Sequence, residues 1–135
     1  MIQIRNPKTS QSGQATAEFV LIFPVLAIVL VTIIQFGGLY NHYESLTNAT
    51  RAGARKAVVS RAAADPVSLA QQAVKDAAPN LDFDKTGASI SVTPTPPWTP
   101  GQTVTVTATY PYSISIAGIG VNDGTLSSST KERVE

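Results

Sequence analysis

SGQATAEFVLIFPVLAIVLVTIIQFGGLY (residues 12–40) sets one carboxylate, Glu18, directly against an apolar run covering residues 19–39. Only Pro24, Thr32, Gln35, Gly37 and Gly38 interrupt that run. At 1.5 Å per residue, about 21 residues span roughly 31 Å, the thickness of a bilayer's hydrocarbon core. A secretory signal has a shorter apolar stretch, about 7 to 15 residues, ending at a small-x-small site. Here Tyr40, Asn41, His42 and Tyr43 follow the longer run. The pattern predicts a retained membrane-crossing helix. Pro24, one turn inside, removes a backbone hydrogen bond and is expected to bend it slightly. Tyr40 and Tyr43, with His42 beside them, fit an interfacial aromatic belt.

On the N-terminal side, residues 1–13 are polar, carry Arg5 and Lys8 and show no apolar period, so they read as a leader or a tail. The whole chain has 135 residues, room for one modest domain beside the apolar run. Its formal charge is +1, and without residues 1–13 it has 8 basic against 9 acidic side chains, or −1. The basic residues form no dense patch interleaved with aromatics, which argues against a nucleic-acid partner. The absence of cysteine excludes disulfides and thiol chemistry. A literal count of basic residues, with Arg51, Arg55, Lys56 and Arg61 after the span, would place the C-terminal part in the cytoplasm. That rule weakens when a folded domain must be moved, and the favoured orientation has the N-terminus inside and the C-terminal domain outside.

On the C-terminal side, residues 43–64 and 65–78 are rich in helix formers. Asp65-Pro66 supplies an N-cap followed by proline at the first helical position. Leu46, Ala49, Gly53 and Ala57 recur at spacings of three and four, a narrow small-residue face that lets another backbone come close. Arg51, Arg55, Lys56 and Arg61 are expected to be solvated. Beyond Pro79 the period changes to two. Strands are predicted at SISVT (residues 89–93), QTVTVTATY (102–110) and YSISI (112–116), the last after a break at Pro111. PTPPWTPG (94–101) should form a rigid exposed hairpin loop, in which Trp98 is either a partner contact or a cap on the hairpin core. Asn122-Asp123-Gly124 signals a turn into a polar fourth strand at the sheet edge. The small-residue face is expected to pack on Ile90, Val104, Val106 and Ile114.

A carboxylate at a membrane edge costs a few kcal/mol, so by default it is paired or functional. Glu18 has no Lys or Arg at helical spacing. One candidate partner is the amino group that cleavage between Gly13 and Gln14 would create, supplied by a neighbouring subunit. The alternative is an interfacial residue solvated by headgroups at the positive end of the helix.

GQATAEF (residues 13–19), followed at once by the apolar span, resembles the type IV prepilin processing motif. With the span and LTNATRAGARKAV (46–58), it resembles the TadE-like family of minor pilins and pseudopilins associated with tight-adherence, or Flp-type, pili. The resemblance covers residues 13 to about 59. It implies a membrane prepilin cut after Gly13 by a prepilin peptidase on the cytoplasmic side, with Glu18 and Phe19 used in assembly. It also implies partners among other pilin or pseudopilin subunits and the pilus assembly platform. The implied place is the inner, or cytoplasmic, membrane, or a surface pilus.

The expected fold is α+β and pilin-like: a leader (1–13), an anchor helix (14–40), exposed helical segments (41–78), and a small antiparallel sheet of three to four strands (79–135). The function favoured is structural. A rival is an unprocessed, membrane-tethered binding module that never polymerises. An enzyme is disfavoured, because no nucleophile, base and orienting group can be nominated, and no cofactor or small-molecule substrate is expected. His42 is the single histidine, which without cysteine excludes a histidine-based zinc cluster. DFDKTG (82–87) resembles the start of a calcium loop, yet the twelfth position is Thr93 rather than Glu. A solvated helix-to-strand turn is the expectation there, with Asp82 and Asp84 left open as metal ligands.

Overall fold

A computed structural model describes residues 10–116 and 118–135, with side chains from residue 13 onward. The elements are α1 (Ser10–Val59), α2 (Pro66–Ala77), β1 (Ser89–Thr93), β2 (Thr103–Ile116) and β3 (Ile119–Arg133). The fold is α+β, as expected, with the strands in the antiparallel order β1-β2-β3. Residues 1–9 of the predicted leader lie outside the described residues. The remainder of the leader is already helical.

α1 is a single helix of 50 residues that passes through Pro24 and joins the predicted anchor to the predicted exposed segment. It ends at Val59 rather than near Ala64. The last turn is closed by Ser60, whose N–H and hydroxyl both donate to the Lys56 carbonyl. Alanines 62–64 have helical propensity, but the chain must turn back here, and Pro66 disfavours helix at Asp65. Asp65 then caps α2: its Oδ1 accepts the Ser68 N–H at 3.0 Å, as the Asp-Pro pair predicts. The Ser68 backbone bond, followed by the Ser68 hydroxyl, lowers the Asp65 pKa below its ordinary value of 3.8.

The C-terminal half of α1 and α2 cover one face of the sheet. Leu46, Ala49, Ala54, Ala57, Ala70 and Val74 meet Val104, Val106, Ala108 and Tyr110 in a buried core. Gly53 lies at its tightest point, where a β-carbon would fall 2.4 Å from Val74 Cγ2 and 3.4 Å from Val106 Cγ1. Ile90 packs at the margin of this core. Ile114 does not join it, contrary to expectation, because β2 slopes along α1 and carries Ile114 down beside Ile34 and Gly38. The sheet's other face is a polar ladder, including Ser89 with Thr109 at 2.7 Å and Thr107 with Ser129 at 3.1 Å.

Two strand predictions are corrected. Pro111 does not break the second strand: β2 continues to Ile116, with Pro111 opposite Thr125. β1 ends opposite Thr109, so beyond that point β2 is an edge on one side, where proline is tolerated. Asn122-Asp123-Gly124 is not a turn but part of β3, facing Ile114, Ser113 and Tyr112. A β-carbon at Gly124 would lie 2.7–2.8 Å from the Tyr112 ring, so glycine there makes room for the tyrosine. The actual turn lies between Ile116 and Ile119 and uses Gly118 at φ +82°. Among the described residues there are therefore three strands, with β3 at the polar edge.

An interaction absent from the sequence reading ties α1 to that edge. The Thr50 hydroxyl is fully buried, donates to the Thr47 carbonyl at 2.9 Å and lies 3.2 and 3.1 Å from the hydroxyls of Ser128 and Thr130. Thr50→Val keeps the shape and removes the hydroxyl that Thr130 and Ser128 share, Ser128 keeping only Thr47 Oγ1 at 3.4 Å, so a loss of about 1–3 kcal/mol is expected. Thr50→Ser should recover most of it. Trp98, the single tryptophan and buried, reports the midpoint by fluorescence in urea titrations of the full chain in detergent.

Candidate assembly site

The first turns of α1 carry the residues singled out for processing and assembly. Gly13 opens onto free space: a β-carbon there would meet nothing within 4 Å. Gln14 Nε2 donates to Glu18 Oε1 at 3.2 Å, an i, i+4 pair across one turn. This side-chain partner was not foreseen, and only its spacing could have suggested it. The Glu18 carboxylate remains exposed, and Phe19 stacks tilted on Phe23 with centroids 5.6 Å apart.

From Phe19 to Ile33 the large apolar side chains are exposed, with Leu21 78% exposed, and Ile34 and Phe36 follow at the level where β2 comes alongside. α1 is long and apolar enough to cross a membrane. So continuous an apolar surface requires lipid or protein around it. A single-pass membrane anchor is the simplest cover.

Where α1 leaves the apolar run, it meets the lower part of β2. Gln35 Nε2 donates to the Ser115 carbonyl at 2.9 Å. His42, expected in the interfacial belt beside Tyr40 and Tyr43, also packs on the sheet domain. It is half-buried and meets Tyr110 edge-on at 5.8 Å, while Phe83 takes the same ring at 6.1 Å. Tyr40 and Tyr43 remain exposed. A cleft of about 210 Å³ opens here, lined among others by Gln35, His42, Lys85 and Tyr112.

The other nominated residues are placed as follows. Leu46, Ala49, Gly53 and Ala57 are buried at the helix–sheet junction, together with Thr50 and Ala54, which the spacing argument missed. Arg51, Arg55, Lys56 and Arg61 are exposed, and Arg61 Nη1 donates to the Glu135 carbonyl. Trp98 is only 5% exposed and donates its indole N–H to the Pro94 carbonyl at 2.8 Å. It therefore caps the hairpin core; the proline loop around it is exposed except at Pro96 and Trp98. Asp84 pairs with Lys75 at 2.8 Å, and Asp82 Oδ1 accepts the Asp84 N–H at 3.0 Å, the geometry of a helix-to-strand turn.

Residues 13–55 match the model of a family described as TadE-like protein. The match takes in the Gly13–Phe19 motif, the whole apolar run and most of the small-residue face, and ends before α2 and the sheet. No curated protein and no solved structure matches the chain.

Proposed function

We propose that this chain is a minor pilin or pseudopilin that contributes structurally, and not as an enzyme, to a tight-adherence, Flp-type pilus or a related secretion assembly. The observation that carries the reading is the order of features along α1. A glycine with open space around it precedes an exposed carboxylate by five positions, and an uncovered apolar helix follows immediately. In this reading a prepilin peptidase cuts between Gly13 and Gln14 on the cytoplasmic side, and the sheet domain lies outside. The new amine of one subunit then meets Glu18 of a neighbour in the assembly. An apolar surroundings strengthens such a pair, because each charge alone would be costly there. Pilin subunits and the assembly platform are the partners, reached through the uncovered half of α1.

The test is the N-terminal residue of the protein isolated from its native envelope. Gln14 is expected. A chain beginning at Met1 in a host with an active prepilin peptidase would instead support the unprocessed, tethered binding module.

A further inference from the structure

The end of the β2–β3 hairpin has no core of its own to join. Ile119 is 72% exposed and Val121 58% exposed, and Val121 is the extra residue at a bulge between the pairs Ile114–Asn122 and Ser115–Gly120. No charged residue occurs between Lys85 and Asp123. β2 runs down α1 toward its N-terminus: Val106 lies by Gly53, Tyr110 by His42 and Ser115 by Gln35. Gln35 is four residues inside the end of the apolar run, a depth of about 6 Å along the helix. The hairpin tip thus reaches the level of α1 that a bilayer would surround.

From this juxtaposition we propose that the hairpin tip is a second membrane contact, with Ile119 and Val121 seated in the outer interface of the bilayer that α1 crosses. The occupant of this apolar tip is lipid. It rests on α1 being a membrane anchor and not on polymerisation. Gln35 is explained by it. β1 pairs only with residues 105–109, so the Ser115 carbonyl lies on an open edge of β2 and would enter lipid unpaired without the Gln35 amide. The same open edge limits the depth to the headgroup and upper acyl region, about 5–10 Å. Lys85, beside Tyr112 and Leu39 in the cleft above, stands at headgroup level, where an ammonium favours lipid phosphate. Two contacts, helix and hairpin, would hold the sheet domain at one tilt on the membrane surface.

The chain has no native cysteine, so single cysteines at Ile119, Val121, Ile28 and Gln72 can each carry an environment-sensitive fluorophore. The full chain is placed at high dilution in phosphatidylcholine–phosphatidylglycerol vesicles, with Trp98 emission confirming the fold of each variant. Labels at 119 and 121 should lose about half their emission to spin-labelled lipid, as the label at 28 does, and resist aqueous iodide. The label at 72 should behave oppositely. If the label at 28 is quenched by lipid while those at 119 and 121 are quenched only by iodide, the anchor stands and the tip contact is refuted. Protection from iodide without lipid quenching would refute it too, by assigning the tip to a neighbouring chain. If the label at 28 also escapes lipid, the anchor itself fails and the tip contact with it.

Discussion

Gly53→Ala will destabilise the domain, although alanine is the better helix former by about 1 kcal/mol. The added methyl would lie 2.4 Å from Val74 Cγ2 and 3.2 Å from the Ala70 carbonyl oxygen. Neither neighbour gives easily: valine is stiff at χ1, and the carbonyl belongs to the backbone of α2. α2 must therefore move away from α1, which also loosens α1 on Val106. Overpacking of this kind costs typically 1–3 kcal/mol, and because the gain in helical propensity is the smaller quantity, a net loss is expected. The urea midpoint read from Trp98 should fall. In Gly53→Ala/Val74→Ala the two losses should sum to less than the separate effects, since the second change removes the methyl that the first one strikes. A Gly53→Ala chain as stable as the wild type would show that α1 and α2 do not meet at this distance.

Glu18→Gln should leave folding and membrane insertion intact and sharply reduce incorporation into assemblies. Glutamine keeps the size of the side chain and an oxygen for the Gln14 amide, so the substitution removes the charge and little else. Because Glu18 is exposed within its own chain, nothing in the sheet domain depends on it. In the proposed assembly, however, the amine of a neighbour would lose its counter-ion in apolar surroundings. Breaking a buried pair costs about 3–5 kcal/mol, and partial solvation at the membrane edge lowers this; a drop of roughly ten- to a hundredfold is a conservative expectation. The measurement is the ratio of assembled to membrane-resident protein in cells producing equal amounts of each variant. An unchanged ratio would leave Glu18 as an interfacial residue held by headgroups and the helix end, with no part in subunit contact.

Much of the molecule was legible in the chain because it depends on neighbours a few positions away. The apolar run of residues 19–39 needs only its own length and composition to declare a membrane-scale helix. The Asp65-Pro66 start of α2 is a local capping signal, and the small face of Leu46, Ala49, Gly53 and Ala57 is a helical period. The alternation of Val104, Val106, Ala108 and Tyr110 identifies a strand with one buried face in the same way.

What the tertiary structure alone decided concerns partners distant along the chain. Pro111 looks like a strand breaker until β1 is seen to end opposite Thr109 and leave β2 an edge. Asn122-Asp123-Gly124 looks like a turn until Gly124 is found beneath the Tyr112 ring. Thr50 is one threonine among many until Ser128 and Thr130 arrive beside it from almost 80 residues away. Likewise Trp98, His42 and Gln35 acquire their roles from Pro94, Tyr110 and Ser115, the last two from other elements. Periodicity reports which face of an element is apolar, since that follows from backbone geometry. Which groups meet that face, and where a strand runs out of partners, follows from packing and register, which close only when the whole chain has folded.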